Sequence, residues 1–333
     1  MTSEAKTIVV VGATGNQGSS VVRTFANLPG WHVRCVTRNV SSPASQELGG
    51  LGASLIQADL SDLDSLSAAF AGAHTIFVNT DFWWAYRKCS EDDETKSKES
   101  YDREVLHGKN AAIAAAAVPT LERFVYSALG PMRKASKGKY TQSFHWESKA
   151  TIVKYIENEQ PELWKKTSLI YLGAYATNAL LMPRPDPTTG AYKLVSPIKA
   201  DIKMPIIDTR GSTGLFVQAL VEQENAGTKL LAYNSYPTME EVARIWSRVI
   251  GQPVELVEVT TEFIHTQFGV PLEVLEAPNF LNEFSYMAGV DGFIEPAQLK
   301  VKVPTQSFEE WLKARGWEQV LGDGKAMLAS VQK

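Results

Sequence analysis

Cysteine is scarce in this chain, as are long apolar runs and any excess of charge of one sign. Two cysteines among 333 residues, Cys35 and Cys89, supply neither a disulfide framework nor a metal-ligand spacing, which points to a reducing compartment. Cys35 falls in an expected strand and reads as buried filler rather than a reactive thiol. With 33 Lys and Arg against 37 Asp and Glu, the formal charge of −4 gives no electrostatic basis for direct nucleic-acid binding. No stretch nears the roughly 18 apolar residues needed to cross a bilayer. Residues 1–6 lack the apolar core of a secretion signal. These absences describe a cytoplasmic protein, with the nucleus as the second candidate location.

What is present is a chain that is 44% apolar and 10% aromatic, enough for a large core and long enough for a nucleotide domain with a smaller appended lobe. Its most informative stretch is 7–18. Four consecutive β-branched apolar residues, Ile8 to Val11, suit a strand buried on both faces of a parallel sheet. Gly12, Gly15 and Gly18 follow at three-residue spacing, with Ala13, Thr14, Asn16 and Gln17 between them. Glycine lets the backbone turn tightly and approach a pyrophosphate without a Cβ in the way. Residues 19–26 can then form a helix whose positive dipole end faces the phosphates. A glycine triplet by itself also fits a strand-to-helix turn that binds nothing; its place after an N-terminal buried strand favours a nucleotide.

Further strands are expected at 31–37, 54–57, 75–78, 123–126, 167–171 and 229–232, with helical patterns at 63–70 and 104–117. Strands separated by helices of this length imply right-handed crossovers and a doubly wound parallel sheet, an α/β fold of the Rossmann type. The expected division is a nucleotide-binding domain over 1–155, its sheet completed by strands near 167–171 and 229–232, and a smaller C-terminal α/β lobe over 176–205 and 233–333. The acidic and basic residues of 90–103 suggest a solvated loop or the ragged start of a helix, a segment that could serve as a mobile flap. Five prolines in 182–205 exclude a regular helix there. Thr238 and Glu241 have the spacing of a capping box before an apolar stripe, and 308–317 reads as a last amphipathic helix.

Several residues can carry chemistry. The second strand ends at Arg38 with no acidic residue until Glu47, so a guanidinium stands where NAD-binding folds place a carboxylate for the ribose 2′-OH. That favours NADP(H); the alternative is a solvated surface arginine. Asp59 and Leu60, after the third strand, are expected beside the adenine. Asn79, Thr80 and Asp81, after the fourth, are expected under the nicotinamide ribose. His145 and Lys149 are four apart on one helical face. Short-chain dehydrogenases carry Tyr-x-x-x-Lys in this element, and here His replaces Tyr. An imidazole can transfer protons near neutral pH, though a structural histidine at a helix start fits equally well. Ser127 ends the fifth strand facing the expected substrate side. The run Phe82-Trp83-Trp84-Ala85-Tyr86 either lines an apolar pocket or packs beneath the small lobe, and the positions of Tyr140 and Tyr175 stay open.

The chain resembles the NmrA-like family of atypical short-chain dehydrogenases along nearly its whole length. The residues that carry the likeness are 12–18 (GATGNQG), Thr37-Arg38, Asp59-Leu60, 77–80, 125–129, His145-x-x-x-Lys149 and Gly173-Ala174-Tyr175-Ala176 with Asn178. The resemblance implies a Rossmann domain with a smaller lobe and NADP(H) contacts at Gly12 to Gln17, Arg38, Asn79 to Asp81, Lys149 and Gly173 to Ala176. It also implies either of two functions. One is reduction of a carbonyl, enone or imine of a small aromatic or apolar metabolite, with Lys149, His145 or water managing the proton. The other is a non-catalytic, NADP(H)-sensing regulatory protein that binds a protein partner. Substrate identity and oligomeric state are not encoded in any motif.

Overall fold

Alternation within each core strand decides how the layers form. The computed structural model describes residues 5–186 and 188–322. Residues 1–4, Pro187 and 323–333, which the reading of the N-terminus and of the small lobe includes, lie outside the described residues. In β1 (Lys6–Val11), Ile8 and Val10 face one side and Val9 and Val11 the other, all buried. The same division runs through β2 (Trp31–Thr37), β4 (Thr75–Val78), β5 (Arg123–Ala128) and β6 (Thr167–Leu172). Each face therefore needs its own cover of helices.

One cover is α1 (Asn16–Ala26) and α2 (Pro43–Gly49), joined by α9 (Thr209–Glu222). The other is α3 (Leu63–Phe70), α5 (Asp93–Ala116) and α7 (Phe144–Glu159). Both layers depend on close crossings at glycine. A Cβ on Gly214 of α9 would stand 2.2 Å from Thr24 Oγ1 of α1, and one on Gly108 of α5 would stand 2.4 Å from Ile152 of α7. Gly211 and Gly214 also lower the helix propensity of 209–222, which is why periodicity alone did not mark α9.

The large sheet has eight strands in the order β13-β11-β6-β5-β4-β1-β2-β3, with β3 at Ser54–Gln57, β11 at Lys229–Ala232 and β13 at Phe293–Ile294. All of its neighbours are parallel, and Val11 pairs with both Val36 and Val78. The chain winds outward in one direction from β1 and in the other from β4. The crevice for a ligand therefore opens at the carboxyl ends of those two strands. The sequence accounts for seven of these strands; β13, two residues long, carries no periodicity to read.

Short elements beyond β6 build the cover of that crevice. β7 (Ala174–Tyr175) pairs with β10 (Ile206–Ile207), while β8 (Arg184–Pro185), β9 (Tyr192–Ser196) and β12 (Val254–Glu258) form a three-stranded sheet. The proline-rich excursion thus holds short strands and, as expected, no regular helix among its described residues. α10 (Met239–Ile250) begins with the capping box of Thr238 and Glu241. α11 (Thr261–Phe268) and α12 (Leu272–Leu281) follow, and α13 (Phe308–Arg315) has its own box of Ser307 and Glu310. The remaining helices, α4 (Phe82–Tyr86), α6 (Met132–Ala135) and α8 (Pro161–Trp164), are single turns.

Of the two readings of 90–103, loop or start of a helix, the helical one holds from Asp93 onward. Asp92 caps α5 by accepting from Thr95 N–H at 3.0 Å, and Asp93 and Glu94 oppose the dipole in the first turn. This helix hides from hydropathy because its inner face buries Ser97, Ser100 and Glu104 instead of large apolar groups.

Burial pushes the Cys35 thiol up to about 12, whereas Cys89 is half-buried beside Glu99. Iodoacetamide at mildly alkaline pH is expected to modify Cys89 and spare Cys35 in the folded protein. Peptide mass mapping that found native Cys35 alkylated at the rate of Cys89 would contradict this packing.

Candidate functional site

The glycine turn after β1 is defined by what a side chain would break. Gly12 has φ +73°, and a Cβ there would lie 3.0 Å from the carbonyl oxygen of Asn79. A Cβ on Gly18 would lie 2.2 Å from the carbonyl oxygen of Gly12. The turn therefore folds back against the start of α1 and the end of β4. Gly15, the N-cap of α1, is extended and offers no side-chain acceptor, so no side chain of the helix shields its positive end. Thr14 and Gly15 are exposed, and Ala13 is buried in the sheet face. Asn16 Oδ1 accepts from Arg210 Nε at 2.8 Å, which ties the turn to α9. Gln17 is buried; its amide donates to Tyr175 Oη at 2.9 Å, while its Oε1 has no partner among the described residues.

From this turn a cavity of about 370 Å³ extends beneath α12. Gln17, Asn79, Thr80 and Asp81 line its nucleotide end, with Lys149, His145, Ser127, Gly173, Ala174 and Tyr175 further in. The far walls are apolar, from Leu129, Leu181, Met204 and Val274 among others. The aromatic run divides its work. Phe82 and Trp83 line the cavity, while Trp84 turns outward and Tyr86 is buried. Tyr175 reaches the site. Tyr140 does not, because its hydroxyl donates to Glu283 at 2.7 Å.

Lys149 is the most constrained group in this cavity. Its ammonium donates to Thr80 O and Thr80 Oγ1, both at 3.1 Å, and lies 3.0 Å from Glu104 Oε1. Those three acceptors match the three N–H bonds of a lysine. Glu104 is fully buried and also accepts from Thr80 Oγ1 at 2.6 Å and from Ser148 Oγ. The Tyr126 hydroxyl lies 3.1 Å from Thr80 Oγ1, and burial, with the Glu104 charge next, raises that phenol well above its ordinary range. Lys149, Glu104, Thr80, Ser148 and Tyr126 thus form one satisfied buried network.

His145, one turn earlier, is held from the opposite side. Glu273 of α12 accepts from the His145 backbone N–H at 2.8 Å and lies 2.7 Å from Nδ1. Trp83 and Phe82 flank the imidazole, with ring centroids 5.1 Å and 5.9 Å away.

Arg38 sits outside the main cavity, with its guanidinium carbon 4.2 Å from the centre of the Trp84 ring. Lys88 approaches the same ring at 4.4 Å and Arg103 at 5.8 Å, so three cations from three elements gather at one indole. Asp59 is on this side as well. Its carboxyl is lowered chiefly by the Ser61 hydroxyl, with His107 and Arg38 adding their charges. Leu60 contributes its carbonyl to Asn110 at 2.9 Å. Ala176 is buried, and its N–H pairs with Ile207 O at 2.8 Å beside the β7–β10 strands.

Sequence reasoning missed Glu104, Glu273, Lys88 and Arg103. Glu104 did leave a trace, standing on the stripe formed with Gly108, Ala111 and Ala115, where an acid is out of place unless it has a buried partner. Glu273 left none, since its partner is 128 residues away.

The sequence profile of the NmrA-like family matches residues 4–312. The chain belongs to the NmrA-like family. A curated relative, the NmrA-like family domain-containing oxidoreductase hkm9 of Aspergillus hancockii, is 29% identical over 284 residues, covering 81% of this chain and 80% of that protein. Among solved structures, NmrA, a negative transcriptional regulator, in complex with NADP superposes with TM-score 0.65 at 21% identity, covering 98% of this chain and 96% of the other. The Citrobacter sp. triphenylmethane reductase complexed with NADP(H) gives TM-score 0.66 at 18% identity, over 92% and 99%. An NmrA-like fold therefore accommodates both a protein described as a regulator and one described as a reductase. In this NmrA-like chain the two can be weighed only on its own cavity.

Proposed function

We propose that this NmrA-like protein is an NADP(H)-dependent reductase acting on a carbonyl, enone or imine of a small aromatic or apolar molecule. The observation that carries the reading is the cavity itself, which continues from the glycine turn past Lys149 and His145 into apolar walls behind Trp83. A protein that only sensed the nucleotide would have no need of such a chamber. The residues present fit the cofactor. The turn is closed to a Cβ at Gly12 and Gly18, the helix end is unshielded, and Gln17 Oε1 is an orphaned buried acceptor beside it. Gly12 to Gly18 would hold the pyrophosphate, Arg38 the 2′-phosphate, Asp59 and Leu60 the adenosine side, and Asn79 to Asp81, Lys149 and Gly173 to Ala176 the nicotinamide half. When bound, the reduced cofactor supplies the hydride to the substrate carbon. The described residues of 1–155, with the strands near 167–171 and 229–232, act as the nucleotide domain; those of 176–205 and 233–322 supply the substrate wall.

The second reading is a regulatory protein that senses NADP(H) and binds a protein partner. The ammonium of Lys149, already satisfied by Thr80 and Glu104, favours it.

Calorimetric titration with NADPH, NADP+, NADH and NAD+ tests the cofactor assignment. The phosphorylated pair is expected to bind more tightly. Arg38→Ala should weaken NADPH relative to NADH by about 1–3 kcal/mol, the range for a charge-assisted pair. An unchanged preference would remove Arg38 from the site.

A further inference from the structure

Among the polar groups that line the cavity, the two on α7, Lys149 and His145, are set apart by their hydrogen bonds. Lys149 has three acceptors for three N–H bonds, all within the protein. His145 has its backbone N–H and Nδ1 both on Glu273 Oε1, with Ser143 Oγ farther from Nδ1 at 3.4 Å, and Nε2 has no hydrogen-bond partner among the described residues. Since the backbone N–H can only donate, Oε1 is an acceptor, and a hydrogen on Nδ1 completes the pair. That leaves Nε2 as the nitrogen available to a ligand in the cavity that His145 lines.

Glu273 is unusually placed for this task. Its side chain is 1% exposed and its second oxygen, Oε2, has no partner among the described residues, so the imidazole is its only titratable hydrogen-bond partner. It comes from α12, 128 residues downstream. The neighbouring Glu276 accepts from the backbone N–H groups of Thr141 at 2.7 Å, Gln142 at 2.5 Å and Ser143 at 2.6 Å. Ser143 itself makes no side-chain cap for α7. The two carboxylates of α12 therefore satisfy the entry to α7 from another element and fix where His145 sits. The other charged or titratable groups around the imidazole are Lys149 one turn along α7, Asp81 and Arg87 at the two ends of α4, and the buried Tyr86.

We propose that Glu273 is a positioning residue that holds the Nδ1–H form of His145, making His145 Nε2, rather than Lys149, the proton donor to the reduced substrate. This rests on the reductase reading. In the step, a reduced nicotinamide dinucleotide gives a hydride to the carbon of C=O, C=C or C=N and is itself oxidised. The Nε2–H bond of the doubly protonated imidazole breaks, and its proton goes to the oxygen, nitrogen or α-carbon that receives the displaced π electrons. The imidazole is left neutral with its proton on Nδ1, facing Glu273, and regains a proton on Nε2 from solvent.

The test has one arm that needs no turnover. Heteronuclear NMR correlation of the imidazole nitrogens, compared between wild type and His145→Gln to assign the signal, is expected to show Nδ1–H as the neutral tautomer. In Glu273→Gln the Nδ1–H correlation is expected to weaken and shift, because the amide no longer offers a charged acceptor to Nδ1–H; Glu273→Asp should move it back. An Nε2–H tautomer in the wild type, or an Nδ1–H correlation unmoved by Glu273→Gln, overturns the role of Glu273. In the second arm, benzaldehyde and dihydroisoquinoline are the probes for NADPH oxidation. His145→Gln should lower kcat about a hundredfold or more with the Kd of NADPH unchanged, and Glu273→Gln about tenfold in kcat with KM little changed. Full activity in His145→Gln overturns His145 as donor. If wild type turns over neither probe, the donor claim falls with the reductase reading, while the NMR result still decides the Glu273–His145 pair.

Discussion

Gly18→Val is expected to weaken NADPH binding by about 3 kcal/mol or more, on the order of a hundredfold in Kd, with the protein still folded. The reason is local and steric. A Cβ at position 18 would lie 2.2 Å from the Gly12 carbonyl oxygen and 2.8 Å from the Ala13 Cα, both backbone atoms that cannot swing aside like a flexible side chain. Either α1 slides away from the turn or the turn opens. In both cases the N-terminal end of α1 no longer points where the pyrophosphate would lie, and the dipole and N–H contributions are lost together. The large sheet has two separately covered faces and should survive the displacement of one helix end. Titration calorimetry alongside circular dichroism checks both parts. A variant that bound NADPH like wild type would show that the turn does not hold the phosphates.

The second large effect is on stability. Lys149→Met should destabilise the fold by about 3–5 kcal/mol, because it strands the charge of Glu104 in a fully buried position. Thr80 and Ser148 would still donate to that carboxylate, but no cation would remain beside it. Adding Glu104→Leu removes the stranded charge, so the double variant should recover a large part of the loss, a non-additivity expected only of groups in direct contact. Urea unfolding of the two single variants and the double variant measures this cycle. Additive losses would mean that the pair is not coupled and that Lys149 is an ordinary helical lysine. The experiment also bears on chemistry. A lysine whose removal costs mainly stability is a structural anchor for Thr80 at the end of β4, and the proton must then come from elsewhere.

The parts of this protein legible in sequence are those where a short-range pattern had a single physical solution. Ile8 to Val11 could only be a strand buried on both faces, and the glycines after it could only be a tight turn. Thr238 and Glu241 announced the start of α10 because a capping box joins residues three apart. The His145–Lys149 spacing placed both groups in one cavity for the same reason.

What escaped were features that depend on distant partners. The first turns of α5 look like a solvated charge run because they bury serines and Glu104, whose partners Thr80, just past β4, and Ser148 and Lys149 of α7 supply the compensation. Two glycines disguised α9, although one of them is what lets it cross α1 so closely. Trp84 could be seen as a bulky aromatic near the cofactor side, but not as the point where Arg38, Lys88 and Arg103 converge. Glu273 is the extreme case. An acid on a C-terminal helix acquires its meaning only when α12 packs against the entry to α7.

The most direct test of the reductase reading is transfer of label. NADPH carrying deuterium at the hydride position would be incubated with the protein and benzaldehyde or dihydroisoquinoline, and the product analysed by mass spectrometry. Deuterium is expected on the reduced carbon of at least one product, with label from only one of the two faces of the nicotinamide ring. Tight NADPH binding with no deuterium in either product would contradict that reading and leave the regulatory one in its place.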